Sequence, residues 1–171
     1  FQDLKFAEKF DIIFCVGVFE YSARFVNGSD PYDVILQHFK HLLNPSGVVV
    51  LAIENQFGLK YFSSSSEDHT SRMFEGIEGY PHHRSSVRTF GYDEIKARLM
   101  KYFSRCDFYF PYPDYKIPSC VLSEDFINKT KAGELIGQFQ ARDYSCARKP
   151  LFDERLAYLA LDKNNKLPFF S

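Results

Sequence analysis

Between Glu54 and Arg72 the chain gathers side chains able to bind, orient or move a proton. They are Glu54, Asn55, Tyr61, the serine run 63–66, Glu67, Asp68, His69, Thr70 and Arg72. A carboxylate beside a carboxamide can hydrogen-bond an acceptor's hydroxyls, or position a base that takes a hydroxyl proton. Glu54 and Asn55 therefore read either as such a pair or as a polar strand end that caps the next helix. Asp68 and His69 have the types of a carboxylate-oriented general base, but adjacent side chains rarely face each other, so separate contacts are the plainer reading. Tyr61 suits a pocket wall or a core position equally. The serine run is either a lid tip or a simple linker.

Other polar groups carry less. His82, His83 and Arg84 suggest a metal site, but no third ligand stands at a usable spacing, so a solvated loop is expected and no metal is assigned. His38 and His41 fall on a helix and read as surface residues. Tyr109, Tyr112 and Tyr115, set around Pro111 and Pro113, read as an aromatic core or as a wall on which a sugar could stack. Cys15 lies in an apolar run and reads as a packed thiol.

The elements that must position these groups follow from periodicity. Asp11–Val18, "DIIFCVGV", is a short continuous apolar run, the pattern of a strand buried on both faces. "NGSDP" then offers Asp30 as N-cap and Pro31 at the first helical position. From Tyr32 to Leu43 the residues Ile35, Phe39, Leu42 and Leu43 recur at helical spacing. "NPSG" ends that helix, and Val48–Ile53 is a second buried strand. Residues 1–53 thus predict a βαβ unit with adjacent parallel strands. A long polar segment, 54–90, holds at most a short helix near Arg72–Ile77; a segment of that length in a compact domain is functional or disordered. Residues 91–171 predict a helix over Tyr92–Phe103 facing inward through Ile95, Leu99 and Phe103. An aromatic strand, "CDFYFPYP", comes next, and then a helix over Asp153–Leu161 facing inward through Leu156, Leu159 and Ala160. The region 119–149 is ambiguous.

Composition bounds the partners. The 171 residues suit one domain, and 19 Phe with 11 Tyr make a sizeable core credible. A net charge of −1 offers no basic face for nucleic acid. No apolar run approaches membrane-spanning length, no leader is expected, and four scattered cysteines favour a reducing cytoplasm. The chain opens on Phe1 and closes on "NKLPFFS", so it is expected to be part of a longer protein.

Ligands of open α/β sheets bind outside the carboxyl ends of parallel strands, which is where "VGVFEY" and "IENQFGLKYF" fall. Here a resemblance enters. "FDIIFCVGVFEYS", "ILQHFKHLLNPSGVVVLAIENQFGLKYF", "EDHTSRMFEGIEGY" and "RTFGYDEIKARL" resemble the C-terminal half of a class I S-adenosylmethionine-dependent methyltransferase. The closer likeness is to a bacterial branch associated with surface-polysaccharide glycosyltransferases. The resemblance implies an α/β fold, a partial Rossmann-like sheet with helices on its faces. "DIIFCVGVFEY" would be its fourth strand, "GVVVLAIEN" its fifth and "CDFYFPYP" its sixth. Cys15, Val16, Gly17, Phe19 and Glu20 would then touch S-adenosylmethionine. Asn55, Tyr61, Asp68 and Arg72 would face a glycan or small-molecule acceptor, with Glu54 and His69 as catalytic groups.

The family's glycine-rich loop and ribose-binding acid are absent, which places them upstream of Phe1, and the seventh strand is also expected outside the chain. Residues 1–171 alone are therefore expected to bind no S-adenosylhomocysteine measurably and to self-associate through an exposed sheet edge. A non-catalytic binding or interaction domain is the alternative. A different nucleotide-using Rossmann-like enzyme is disfavoured by the lack of a phosphate-cradling loop.

Overall fold

The computed structural model describes residues 6–82, 87–139 and 148–171. Strand β1 (Phe10–Val16) pairs in parallel with β2 (Leu43–Ala52), in register from Ile12 against Val48 to Val16 against Ala52. Between them run α1 (Ser22–Phe25) and α2 (Pro31–Leu42). The Asp30 side chain accepts from the backbone N–H of Tyr32 and Asp33, satisfying two of the donors a helix start leaves open. The expected βαβ unit is therefore present. One boundary differs, because residues 44–47 are strand rather than turn and the register slips between the Phe10–Leu43 and Ile12–Val48 pairs. Gly47 permits this: a Cβ there would sit 2.9 Å from the Phe10 carbonyl oxygen.

The sheet is covered on one face only. Cys15 points inward with partly buried Ile13, Val49 and Leu51, against Ile35, Leu36 and Phe39 of α2. Alternation sends Ile12, Phe14, Val16, Val48 and Val50 to the other face. There they are exposed, Phe14 at 69%. The expectation of strands buried on both faces is thus corrected, since no described element packs on the outward side.

The segment after β2 includes α3 (Leu59–Phe62) and closes on its own starting point. Asn55 bridges to Phe90, and Gln56 N–H donates to the Phe90 carbonyl at 3.0 Å. Buried polar groups fill the interior of this excursion: Gln56, Ser63, Ser65, Glu67, Glu75 and Thr89, with Tyr80 among them. Buried Ser63 and Ser65 correct the reading of the serine run as a lid tip or linker. The short helix expected near Arg72–Ile77 is replaced by turns, with Phe74 at φ +65° and an isolated bridge from Ser66 to Met73.

Helix α4 (Tyr92–Met100) follows, and Ile95 joins Phe19, Tyr32 and Phe90 in the first core. Arg98 reaches from α4 to the start of α2, donating to Asp30 at 2.7 Å and to Asp33, with its guanidinium over the Tyr32 and Phe90 rings. The aromatic strand, expected as a further strand of the same sheet, instead forms a separate antiparallel pair. This pair joins β3 (Tyr109–Tyr112) to β4 (Cys120–Ser123). Pro111 lies inside β3 opposite Val121 rather than ending it, which an edge position tolerates.

Helices α5 (Glu124–Lys129), α6 (Ala132–Ile136), α7 (Glu154–Lys163) and α8 (Leu167–Phe170) complete a second core. Phe110, Tyr112, Leu122, Ile127, Ile136 and Leu167 form its centre. The face expected for α7 is displaced: Leu156 is 63% exposed and Ala160 is exposed, while Tyr158 and Leu161 pack inward. No helix among the described residues is long and apolar enough to cross a membrane. The chain is mixed α/β, with one small parallel sheet, one hairpin and short helices around two cores.

Candidate functional site

Because β1 and β2 are parallel neighbours, the residues that follow them share one rim. Glu20 lies in the short 3-10 turn Phe19–Tyr21 just past β1, and Glu54 just past β2. Gly17, at φ +63°, makes the turn out of β1 and carries no Cβ where Glu20 Oε1 folds back, 4.0 Å away. The Glu20 backbone carbonyl accepts from Arg88 N–H at 3.0 Å and from the Tyr32 hydroxyl at 3.4 Å. From the polar excursion, His69 is laid over this rim.

His69 Nε2 stands 3.5 Å from Glu20 Oε1 and 3.6 Å from Glu54 Oε2. Its other nitrogen, Nδ1, bonds to Glu67 Oε1 at 2.8 Å. Glu67 also accepts the backbone N–H of His69 (2.8 Å) and of Thr70 (2.7 Å), and the Tyr80 hydroxyl at 3.2 Å. The Tyr21 ring meets the imidazole edge-on, and Glu54 lies near enough to Tyr115 to add to burial in pushing the Tyr115 hydroxyl pKa up. Oε2 of Glu20 and Oε2 of Glu54 are buried with no hydrogen-bond partner among the described residues.

Charge follows geometry. Burial alone would lower the His69 pKa, but the pull of Glu20, Glu67 and Glu54 outweighs it and lifts the value to about 10. Burial likewise pushes the Glu67 carboxyl up, and His69 beside it brings the net shift below the usual value. His69 is therefore an imidazolium at neutral pH. The same carboxylates that orient it favour its protonated form, which works against the general-base role expected of it.

The remaining expected site residues divide. Asp68 does not meet His69; it accepts from the Tyr61 hydroxyl at 2.5 Å and pairs with Lys60 Nζ at 3.0 Å. Tyr61 is buried, its hydroxyl driven well up by burial and then by Asp68. The Asn55 amide donates to the carbonyls of Phe169 (2.9 Å) and Ser171 (2.7 Å), while its Oδ1 accepts from Phe57 N–H, so it ties chain segments together. Arg72 is half-exposed, 3.3 Å from Glu75 and outside the cluster.

Of the expected cofactor wall, Cys15 and Phe19 are core residues, and burial followed by Glu20 pushes the Cys15 thiol to about 11. Val16 and Val18 are exposed on either side of Gly17. Among the three tyrosines, Tyr112 is buried and Tyr109 exposed, and Tyr115 lies near Glu54. His82 bonds Glu75 through Nδ1 at 3.0 Å. His83 and Arg84 lie outside the described residues.

Sequence reasoning missed Glu67 as the orienting carboxylate; it set Glu20 near Glu54 at the shared rim of the parallel strands, but it did not bring His69 to them. The shared rim signals the glutamate pair only. The chain matches no protein-family model, no curated protein and no solved structure.

Proposed function

We propose that this chain forms the acceptor side, and one wall of the cofactor side, of an S-adenosylmethionine-dependent methyltransferase acting on a hydroxyl group. The observation that carries the reading is Glu54 Oε2, buried at the carboxyl rim of two parallel strands, with no hydrogen-bond partner among the described residues and a fixed cation beside it. Such an oxygen takes a hydrogen bond from an incoming hydroxyl and then its proton. His69, braced by Glu67, holds the carboxylates in place, and with all three side chains of the rim buried little water reaches them.

S-adenosylmethionine, when bound, supplies an electrophilic sulfonium methyl. The residues that fit it are few: exposed Val16 and Val18 beside the Gly17 backbone form an apolar edge suited to an adenosine, whereas Phe19 offers nothing past its backbone. A sugar acceptor and a polysaccharide context rest on the resemblance alone.

The test is hydrogen exchange with S-adenosylhomocysteine, on a chain extended upstream of Phe1, where this reading requires a glycine-rich loop. Slowed exchange within 15–20 is expected. Binding without protection there contradicts the cofactor wall, and micromolar binding by residues 1–171 alone means that the cofactor site lies elsewhere.

The outward sheet face favours a second reading, a non-catalytic interaction domain. Ile12, Phe14, Val16, Val48 and Val50 form an apolar patch on an open-edged sheet. On that reading residues 1–171 sediment as dimers or larger species at micromolar concentration, and Phe14→Lys returns them to monomer. A wild-type chain that sediments as a monomer contradicts it.

A further inference from the structure

We infer that Glu20, Glu54 and His69 form a binding site for one divalent first-row metal ion, held by two carboxylates and one imidazole nitrogen. One ligand-capable atom from each residue lies within 4.8 Å of the others. The separations suit donors around an ion better than hydrogen-bonded partners. His69 Nε2 lies 3.5 and 3.6 Å from the two glutamate oxygens, while its Nδ1 closes to 2.8 Å on Glu67. Donors about 2.1 Å from a tetrahedral ion are roughly 3.4 Å apart, whereas charge-assisted hydrogen bonds close to about 2.8 Å.

A second observation points the same way. The Glu20 side chain is 1% exposed and that of Glu54 9% exposed, and Oε2 of each lacks any hydrogen-bond partner among the described residues. Desolvated carboxylate oxygens are costly unless something positive meets them. An ion bound there displaces the proton from Nε2 and sets two positive charges in place of one among the three carboxylates.

The outer shell is built as well. Glu67 fixes the imidazole through Nδ1, leaving Nε2 to face the glutamates, which is the usual orientation of a carboxylate-braced histidine ligand. A set of one nitrogen and two oxygens suits Mn²⁺, Fe²⁺ or Zn²⁺ better than Mg²⁺ or Ca²⁺, which prefer oxygen alone. Three protein donors leave at least one position for water or a hydroxyl. The inference concerns the rim described above but does not rest on methyl transfer.

The test is titration of Mn²⁺ into EDTA-stripped residues 1–171, followed by loss of the six-line electron paramagnetic resonance signal of the free ion and by calorimetry. No methyl donor is present, so this inference and the methyl-transfer reading fail separately. One ion per chain is expected, with micromolar affinity. Glu20→Gln, Glu54→Gln and His69→Gln should each weaken binding at least roughly tenfold, as Glu67→Gln should through the outer shell. His82→Gln should leave it unchanged. A melt of the wild-type chain with and without Mn²⁺ needs no variant and should rise by several degrees. No one-site binding and no rise in the melt, binding that survives both Glu54→Gln and His69→Gln, or binding lost in His82→Gln each overturns the inference.

Discussion

Glu67→Ala lowers the unfolding free energy of the chain by about 4 kcal/mol or more. This carboxylate is buried and accepts four donors: the backbone N–H of His69 and of Thr70, the His69 Nδ1 and the Tyr80 hydroxyl. Each donor left unmet in a desolvated site costs about 1–3 kcal/mol. The Tyr80 hydroxyl keeps its contact with Thr89 Oγ1 at 2.5 Å, so the loss falls mainly on the two backbone donors and the imidazolium. Water entering the vacated space recovers part of it, which sets the figure nearer the low end of the sum. Glu67→Gln keeps the volume but turns an amide NH₂ toward donors, and an intermediate loss of about 2 kcal/mol follows. Urea unfolding followed by circular dichroism measures both. A loss below about 1 kcal/mol for Glu67→Ala would mean that the excursion is not organised around this carboxylate.

How far this arrangement could be read from sequence depends on whether the signal is local. The βαβ unit is local: Ile13 and Cys15 alternate with Ile12 and Phe14 in β1, Ile35 and Phe39 recur in α2, and Asp30–Pro31 opens the helix. Its open face is not local, because Ile12, Phe14 and Val16 have the same alternation whether or not an element covers them. The pairing of β3 with β4 escaped for the same reason, since nothing in "FYFPY" names its partner strand.

Serine carries no burial signature, so Ser63 and Ser65 read as solvent-facing although backbone contacts bury them. Burial of Ser63 comes with contacts from far along the chain, where Arg148 donates to its carbonyl at 2.7 Å. At the site, Glu54 and His69 were visible as chemistry-bearing types, but the partner of His69 was not. Asp68 is its neighbour in sequence, yet the turn directs Asp68 to Tyr61 and Lys60 and folds Glu67 back onto the imidazole. Glu20 was read as a cofactor contact near Glu54 at the shared rim; what the sequence did not signal is that His69 is laid between them.

The second large effect concerns turnover. In a chain extended upstream as the proposed methyl-transfer reading requires, Glu54→Ala is expected to lower methyl transfer to a hydroxyl acceptor by about 100-fold, the low end of what a positioned base contributes. The side chain is buried and faces His69 at 3.6 Å, whereas Val16 and Val18, proposed as the cofactor edge, are exposed. Removing it therefore strips the transition state of a proton acceptor while leaving the proposed cofactor edge intact. Glu54→Gln is the sharper variant, because it keeps the shape while abolishing basicity.

The most direct measurement sets kcat for methyl transfer beside the S-adenosylhomocysteine dissociation constant, for wild type and Glu54→Gln in the same extended chain. The account predicts that kcat falls by about 100-fold while the dissociation constant moves by less than about threefold. Equal losses in both, or a variant that transfers methyl groups at the wild-type rate, would contradict it and remove Glu54 from the acceptor side.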